Sequence, residues 1–191
     1  MTSRTHDVFA FASLVTVATY YPPATLNLTT AVSCLVGNIV GSLLPDIDQA
    51  SNRLWDLLPG GNLIGKYLRK IFLSHRTISH SLLGVFLINK ILLWLVPKIL
   101  NPGFIIIELV HASIMIGFIS HLLLDSFTEE GLPLFFPLKW KFGFPPIKQW
   151  RIETGKWFEK FVVFPAIIVY SLFFIGNNQE KLTAILKLIV K

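Results

Sequence analysis

His121 and Asp125 are spaced as H-x-x-x-D near the end of a long apolar run. On a helix this spacing stacks an imidazole nitrogen and a carboxylate oxygen on one face, about a turn apart. Such a pair can chelate a divalent cation; the plainer alternative is a His–Asp hydrogen bond closing a helix. Pro45-Asp46-Ile47-Asp48 ends another apolar run. Pro45 biases Leu44 away from helix, and two carboxylates two residues apart in extended chain project to the same side. Held close, Asp46 and Asp48 repel one another unless a proton or cation lies between them; in water they are an ordinary helix exit. A third group, His75-Arg76-Thr77-Ile78-Ser79-His80, opens a third apolar run. With Thr77 or Ser79 as the helix cap, Arg76 and His80 share a helix face and His75 lies in the preceding loop. His80 is then the expected ligand and Arg76 a binder of phosphate or carboxylate. His75 is a second ligand or an orienting group. The plain alternative is an Arg76 that snorkels and a hydrogen-bonded core histidine.

The elements that must position these groups are read from the charge pattern. Only 15% of the 191 residues are charged and 53% are hydrophobic, with a mean hydropathy of +0.62, which is too apolar for an ordinary soluble domain. No formal charge occurs from Val8 to Pro45 or from Phe161 to Gln179, and between Thr77 and Leu124 only Lys90, Lys98 and Glu108 are charged. A bilayer-crossing helix needs roughly 20 mostly apolar residues. Segments 24–44, 78–100, 104–124 and about 156–175 meet that need; 8–21 is shorter and reads as a crossing, buried or re-entrant helix. The expected fold is all-α: one membrane-embedded domain over 1–191, a polytopic bundle of about five helices. The tail 177–191 reads as an interfacial amphipathic helix, with Leu182, Ile185, Leu186 and Val190 near one face. The 8–21 run lacks a small-residue cleavage site, so it does not read as a signal peptide. Gly37 and Gly41 form GxxxG, a helix-packing signal. A lone Cys34 excludes a disulfide framework or a thiolate cluster.

Two connections are tight turns, at 21–23 and 97–103, whereas 45–77 and 125–155 are long and polar. Alternate crossings therefore return both long loops and the N-terminus to one face. Nine of the eleven acidic residues and four of the five histidines fall on that face, including His6, His75, His80 and His121. His6, just before the first run, and Glu159, opening the last, gain interest only from this threading. His111 lies ten residues from His121 and reads as a partner of Glu108 instead. Lys and Arg divide twelve to four in favour of the acidic and histidine-rich face, which places it in the cytoplasm of a plasma (inner) membrane protein. In such a chain the net charge of +6 reports orientation, and no nucleic-acid partner is expected. The segment 132–150 mixes Phe135, Phe136, Trp140, Phe142, Phe144 and Trp150 with Lys139, Lys141 and Lys148, a composition suited to the headgroup layer.

Taken in order, His6, L-L-P-D-I-D at 43–48, H-R-T-I-S-H-S-L-L at 75–83, S-H-L-L-L-D at 120–125 and G-L-P-L-F-F-P at 131–137 resemble the YdjM-like predicted membrane-bound metal-dependent hydrolases. The likeness spans nearly the whole chain. The family pattern H-R-G-x-T-H-S is departed from at Thr77 and Ser79, and Gln49 stands where the family often has histidine. If that histidine is a ligand, fewer or weaker ion sites are implied here. The family is itself similar to zinc-dependent phospholipase C, an all-helical enzyme with clustered His, Asp and Glu ligands. That similarity implies His80, His121, Asp125 and one of Asp46 and Asp48 as ligands, with His6 and Glu159 as further candidates.

The expected chemistry is metal-assisted hydrolysis with one or two divalent ions, Zn²⁺ foremost, which acidify water and polarise an ester. Asp48 or Glu159 takes the proton and Arg76 steadies a phosphoryl oxygen. Site and bilayer surface coincide, so the expected substrate is a phosphate ester of a membrane lipid or a lipid-linked molecule. The alternatives are a metal-binding structural or regulatory membrane protein and a metal or proton carrier. A carrier needs a chain of ionisable groups at mid-membrane depth, and Lys90, Glu108 and His111 do not form one.

Overall fold

The computed structural model describes residues 1–47, 78–138 and 140–189; Asp48, Gln49, His75, Arg76 and Thr77 lie outside them. The described chain is helical, without extended strands. In order it forms α1 (Ser3–Tyr20), α2 (Leu28–Leu43) running into a 3₁₀ turn (Leu44–Asp46), α3 (Leu82–Ile99), α4 (Ile107–Ser126), α5 (Phe164–Asn177) preceded by a π-helical turn (Glu159–Val163), and α6 (Gln179–Ile189). Among the described residues, four stretches are long and apolar enough to cross a membrane: Leu28–Asp46, Leu82–Ile99, Ile107–Ser126 and Glu159–Asn177. They correspond to the four expected crossings, each beginning three or four residues later. α1 is not among the four, yet its 18 residues extend ~27 Å, about the depth of a hydrocarbon layer.

Contacts fix the direction of each helix. Thr5 meets Glu159, Thr16 meets Tyr170, and Tyr20 meets Phe174, so α1 and α5 run side by side in the same direction. α2 and α4 also run parallel, with Thr30 bonded to Ile106 at one end and Ser42 to His121 at the other. α3 returns against α4, burying Leu92 and Val96 on Val110 and Ile114. One end of the bundle therefore gathers the starts of α1, α3 and α5 and the ends of α2 and α4. The outward faces of α3 and α5 are apolar, with Leu83, Phe86, Ile91 and Trp94 on one and Val169, Leu172 and Phe173 on the other exposed. Apolar groups facing outward over the length of a span suit acyl chains, which offer backbone groups no hydrogen bonds and so require complete helices.

The tightest packing joins α2 to α4. A Cβ built on Gly41 would lie 2.0 Å from the Ile114 carbonyl oxygen, and one on Gly117 would lie 2.1 Å from that of Asn38. The backbones thus touch where the two helices approach their site ends, as small residues allow. Gly37 of the GxxxG pair faces Ile114 in the same seam. Beneath the site, Phe118 and Leu122 of α4 pack with Leu132, the residue that ties the following loop to itself through paired backbone bonds with Phe142.

Candidate metal centre

Each donor is held by a local feature of the chain. Ser81 caps α3: its hydroxyl oxygen accepts the Gly84 N–H at 3.1 Å and the hydroxyl donates to the Ile78 carbonyl at 2.7 Å. The cap falls two residues beyond Ser79, so His80 sits in the turn ahead of the helix, not on a helix face with Arg76 as the sequence suggested. Gly84 makes this turn possible, since a Cβ there would lie 2.0 Å from the Ile78 carbonyl oxygen. Gly84→Ala is accordingly expected to displace His80 and weaken binding of Zn²⁺ to the purified protein about tenfold to a hundredfold, the usual cost of disturbing an outer-shell support. Unchanged affinity in a chelator competition would show that the turn tolerates the methyl group.

His121 and Asp125 lie in the last turns of α4, both buried, with Nε2 3.6 Å from Oδ2. His80 brings its Nε2 within 3.6 Å of the same Asp125 oxygen and 3.4 Å of Asp46 Oδ1. Asp46 Oδ1 is in turn 3.8 Å from His121 Nε2. A Zn²⁺ ion with ligands at ~2.0–2.1 Å has tetrahedral ligand–ligand edges of ~3.4 Å, so four of the edges among these donors are close to what one ion requires. His6, from the second turn of α1, stacks on His121 with ring centroids 3.7 Å apart and planes 7° from parallel. Its Nε2 faces the other Asp125 oxygen at 3.3 Å, and the Met1 amino group is 2.7 Å from that oxygen. His6, His121 and Asp125 form one group of metal-ligand type, and Asp46, His80 and His121 form another.

The hydrogen bond of His121 decides the electrostatics. Its Nδ1 is 2.6 Å from the Ser42 carbonyl oxygen. A carbonyl only accepts, so Nδ1 carries the proton and a neutral His121 keeps its lone pair on Nε2. That lone pair points at two carboxylate oxygens. Neither His121 Nε2 nor Asp46 Oδ1 has a hydrogen-bond partner among the described residues, nor does either nitrogen of His6. Buried acceptors facing acceptors are costly; a cation between them removes the conflict, which is the physical sense in which these residues fit a metal. Burial disfavours a charged His80, but hydrogen-bonding contact with Asp125 and Asp46 and their charge outweigh it and push its pKa above the usual value. The carboxylates around His80 thus favour positive charge at that position, which a proton on His80 supplies in the absence of a cation. Asp46 is the most accessible of the five donors, with 24% of its side chain exposed against 2% or less for His6, His80, His121 and Asp125. An incoming ligand therefore meets the cluster on the Asp46 side.

Of the sequence candidates, the structure brings together His6, Asp46, His80, His121 and Asp125; Asp48, His75 and Arg76 fall outside the described residues. Glu159 is buried near the start of α1, but its oxygens already accept four hydrogen bonds, from the Thr2 N–H, the Thr2 and Thr5 hydroxyls and the Gly155 N–H. It belongs to neither group of metal-ligand type. His111 makes no ion pair with Glu108 among the described residues, and its Nε2 has no partner there. Sequence reasoning missed Ser42, because it acts through its carbonyl and no side-chain pattern reports that. The available clue was Pro45, which ends the ladder where α2's last carbonyls lose their helical partners. It also missed Ser79, whose hydroxyl is 3.0 Å from His80 Nδ1 and orients that ring.

The cluster can be set beside known proteins. The family described as YdjM inner membrane protein matches residues 1–189. YvsG of Bacillus subtilis strain 168, whose name describes it as uncharacterized, is 29% identical over 163 residues, covering 85% of this chain and 88% of its own. Inner membrane protein YdjM of Escherichia coli strain K12 is 32% identical over 134 residues, or 70% of this chain. The match spans 62% of the length of that Escherichia coli protein. No solved structure matches. Four helices able to cross a bilayer and a match that takes in every element supplying a donor lead to one conclusion: the chain is a membrane protein belonging to the YdjM inner membrane protein family.

Proposed function

We propose that the chain is a membrane-bound metal-dependent hydrolase that cleaves a phosphate ester of a membrane lipid or lipid-linked substrate at the cytoplasmic face. The observation that carries this reading is the orientation of His121: the Ser42 carbonyl commits Nδ1 to donation, so Nε2 turns a lone pair towards Asp46 and Asp125. His80, His121, Asp46 and Asp125 would hold one divalent ion of the Zn²⁺ type. His6 and the second oxygen of Asp125 are the natural donors for a second ion. When bound, such an ion acidifies water near neutral pH and draws charge from a phosphoryl oxygen.

The remaining parts come from this chain. Asp46, on the accessible edge, borders the route by which an ester reaches the donors. Arg76 is assigned to the phosphoryl oxygens on the ground of its fork of donors, and Asp48 is the base of choice, since the lone pairs of Glu159 are engaged by Thr2, Thr5 and Gly155. The cytoplasmic assignment rests on the twelve-to-four division of Lys and Arg. The lipid assignment rests on the position of the donors at the helix ends, beside a loop whose Trp140, Trp150 and Trp157 are exposed as interfacial aromatics are.

The test is hydrolysis of phosphomonoesters, phosphodiesters and glycerophospholipids by detergent-purified protein, with Zn²⁺ and after chelation, for the natural chain and His121→Ala. Metal-dependent turnover that His121→Ala abolishes is the expected result. Tight metal binding without turnover on any ester would favour a structural or regulatory metal protein instead, and metal-dependent flux in liposomes would favour a carrier.

A further inference from the structure

The carboxylate of Glu159 lies across the first turn of α1. Oε1 accepts the Thr2 N–H at 2.7 Å, the Thr2 hydroxyl at 2.8 Å and the Thr5 hydroxyl at 2.6 Å, while Oε2 accepts the Gly155 N–H at 2.7 Å. Thr2 is the residue at the cap of α1, yet it makes no side-chain capping bond of its own; instead its N–H and hydroxyl are both given to a carboxylate 157 residues away. The arrangement is favourable on two counts, since a negative charge suits a helix N-terminus and the unpaired N–H groups there need acceptors. Glu159 itself opens a π-helical turn, the kind of local widening that is frequent at functional sites. The clasp grips the turn that leads into His6, which follows Thr5 directly.

His6 has little else to aim it. Both of its ring nitrogens lack a hydrogen-bond partner among the described residues, so the usual outer-shell orientation of a metal-binding histidine through its second nitrogen is missing. Its ring is placed by stacking on His121, by the 3.3 Å approach of Nε2 to Asp125 and by the path of α1. We infer that Glu159 is a positioning residue that clamps α1 to the start of α5 and thereby presents His6 to Asp125 and the metal. This assigns Glu159 to neither the ligand set nor proton transfer, and it rests on the metal-centre reading above.

The experiment measures Zn²⁺ affinity by chelator competition, and the visible spectrum with Co²⁺, on detergent-purified full-length protein. The variants are His6→Ala, Glu159→Gln, Thr5→Val, and Glu159→Gln combined with His6→Ala. Glu159→Gln keeps the size of the side chain but places an amide N–H against the donors of the clasp. It is expected to lower affinity about tenfold to a hundredfold, as outer-shell changes do, with Thr5→Val a smaller step in the same direction. The Co²⁺ spectrum of Glu159→Gln should shift towards that of His6→Ala. The combined variant should bind no more weakly than His6→Ala alone, because Glu159 acts through His6. Losses that multiply in the combined variant would overturn the inference, as would wild-type affinity in Glu159→Gln, or a spectrum showing a ligand lost while His6 remains bound. A natural chain that binds neither ion would fail the metal reading itself, and the clamp's role with it.

Discussion

His121→Ala should abolish tight metal binding and with it any ester hydrolysis, the largest loss expected from one substitution in this chain. Apparent binding free energies of ~10–16 kcal/mol for a structural Zn²⁺ site, shared among four ligands, place one ligand at roughly 3 kcal/mol, or about a hundredfold in affinity. His121 should exceed that share. It is the residue common to both groups of donors, and its removal leaves Asp46 and Asp125 facing each other across the space it filled. His111→Ala, ten residues away on the same helix, should bind like the natural chain. Equilibrium dialysis with Zn²⁺ at neutral pH decides between these outcomes, and equal affinity for natural and His121→Ala protein would remove the metal centre. Acidification should mimic the substitution, because imidazole must be neutral to ligate. The direction at His80 sharpens this: its pKa is raised, so protons compete with the ion already above pH ~6.5, the ordinary histidine value. The sign for the metal-free protein is opposite. Stability from the His80 contacts is complete below that value and fades as pH climbs through the raised pKa, leaving the repulsion that a bound cation would relieve.

What the sequence made legible follows from periodicity and threading. The spacing of His121 and Asp125 is a property of any helix, so their shared face is as expected. The apolar runs and two tight turns return His6, Asp46 and His80 to the same end, and the structure places them there. Position within that end was not legible, because it depends on atoms that patterns do not describe. The cap chosen by α3 is Ser81, not Thr77 or Ser79, because Gly84 lets the preceding turn lie against the helix. That choice moved His80 from a helix face into a turn. Glu159 looked like one more carboxylate on the rim, and only the contacts with Thr2, Thr5 and Gly155 reveal that its lone pairs are engaged. The tautomer of His121 depends on a main-chain carbonyl, which has no letter in a sequence.

The second large effect is expected from a residue that touches no ligand. Gly117→Ala adds one methyl group in α4, yet its Cβ would lie 2.1 Å from the Asn38 carbonyl oxygen and 2.9 Å from the Ser42 N–H nitrogen. Both neighbours are backbone, so neither can rotate aside; the helices must separate by roughly 1 Å to restore an ordinary carbon–oxygen contact, an overpacking that costs typically ~1–3 kcal/mol. The same movement stretches the 2.6 Å contact from His121 Nδ1 to the Ser42 carbonyl past the limit of a useful hydrogen bond. The ring then loses the partner that fixes its tautomer and direction. Gly117→Ala should therefore lower the melting temperature and also weaken Zn²⁺ binding tenfold to a hundredfold, the range for lost outer-shell support. Gly41→Ala, blocked by the Ile114 carbonyl oxygen at 2.0 Å, should behave alike. Gly176→Ala on α5, where an added Cβ meets nothing within 4 Å, is the control and should alter neither quantity. A melting temperature that falls while metal affinity holds would mean that helix separation and ligand geometry are independent. Joint loss would mean that the seam of glycines sets the metal centre, because in this fold the distance between two backbones determines which nitrogen of His121 faces the carboxylates.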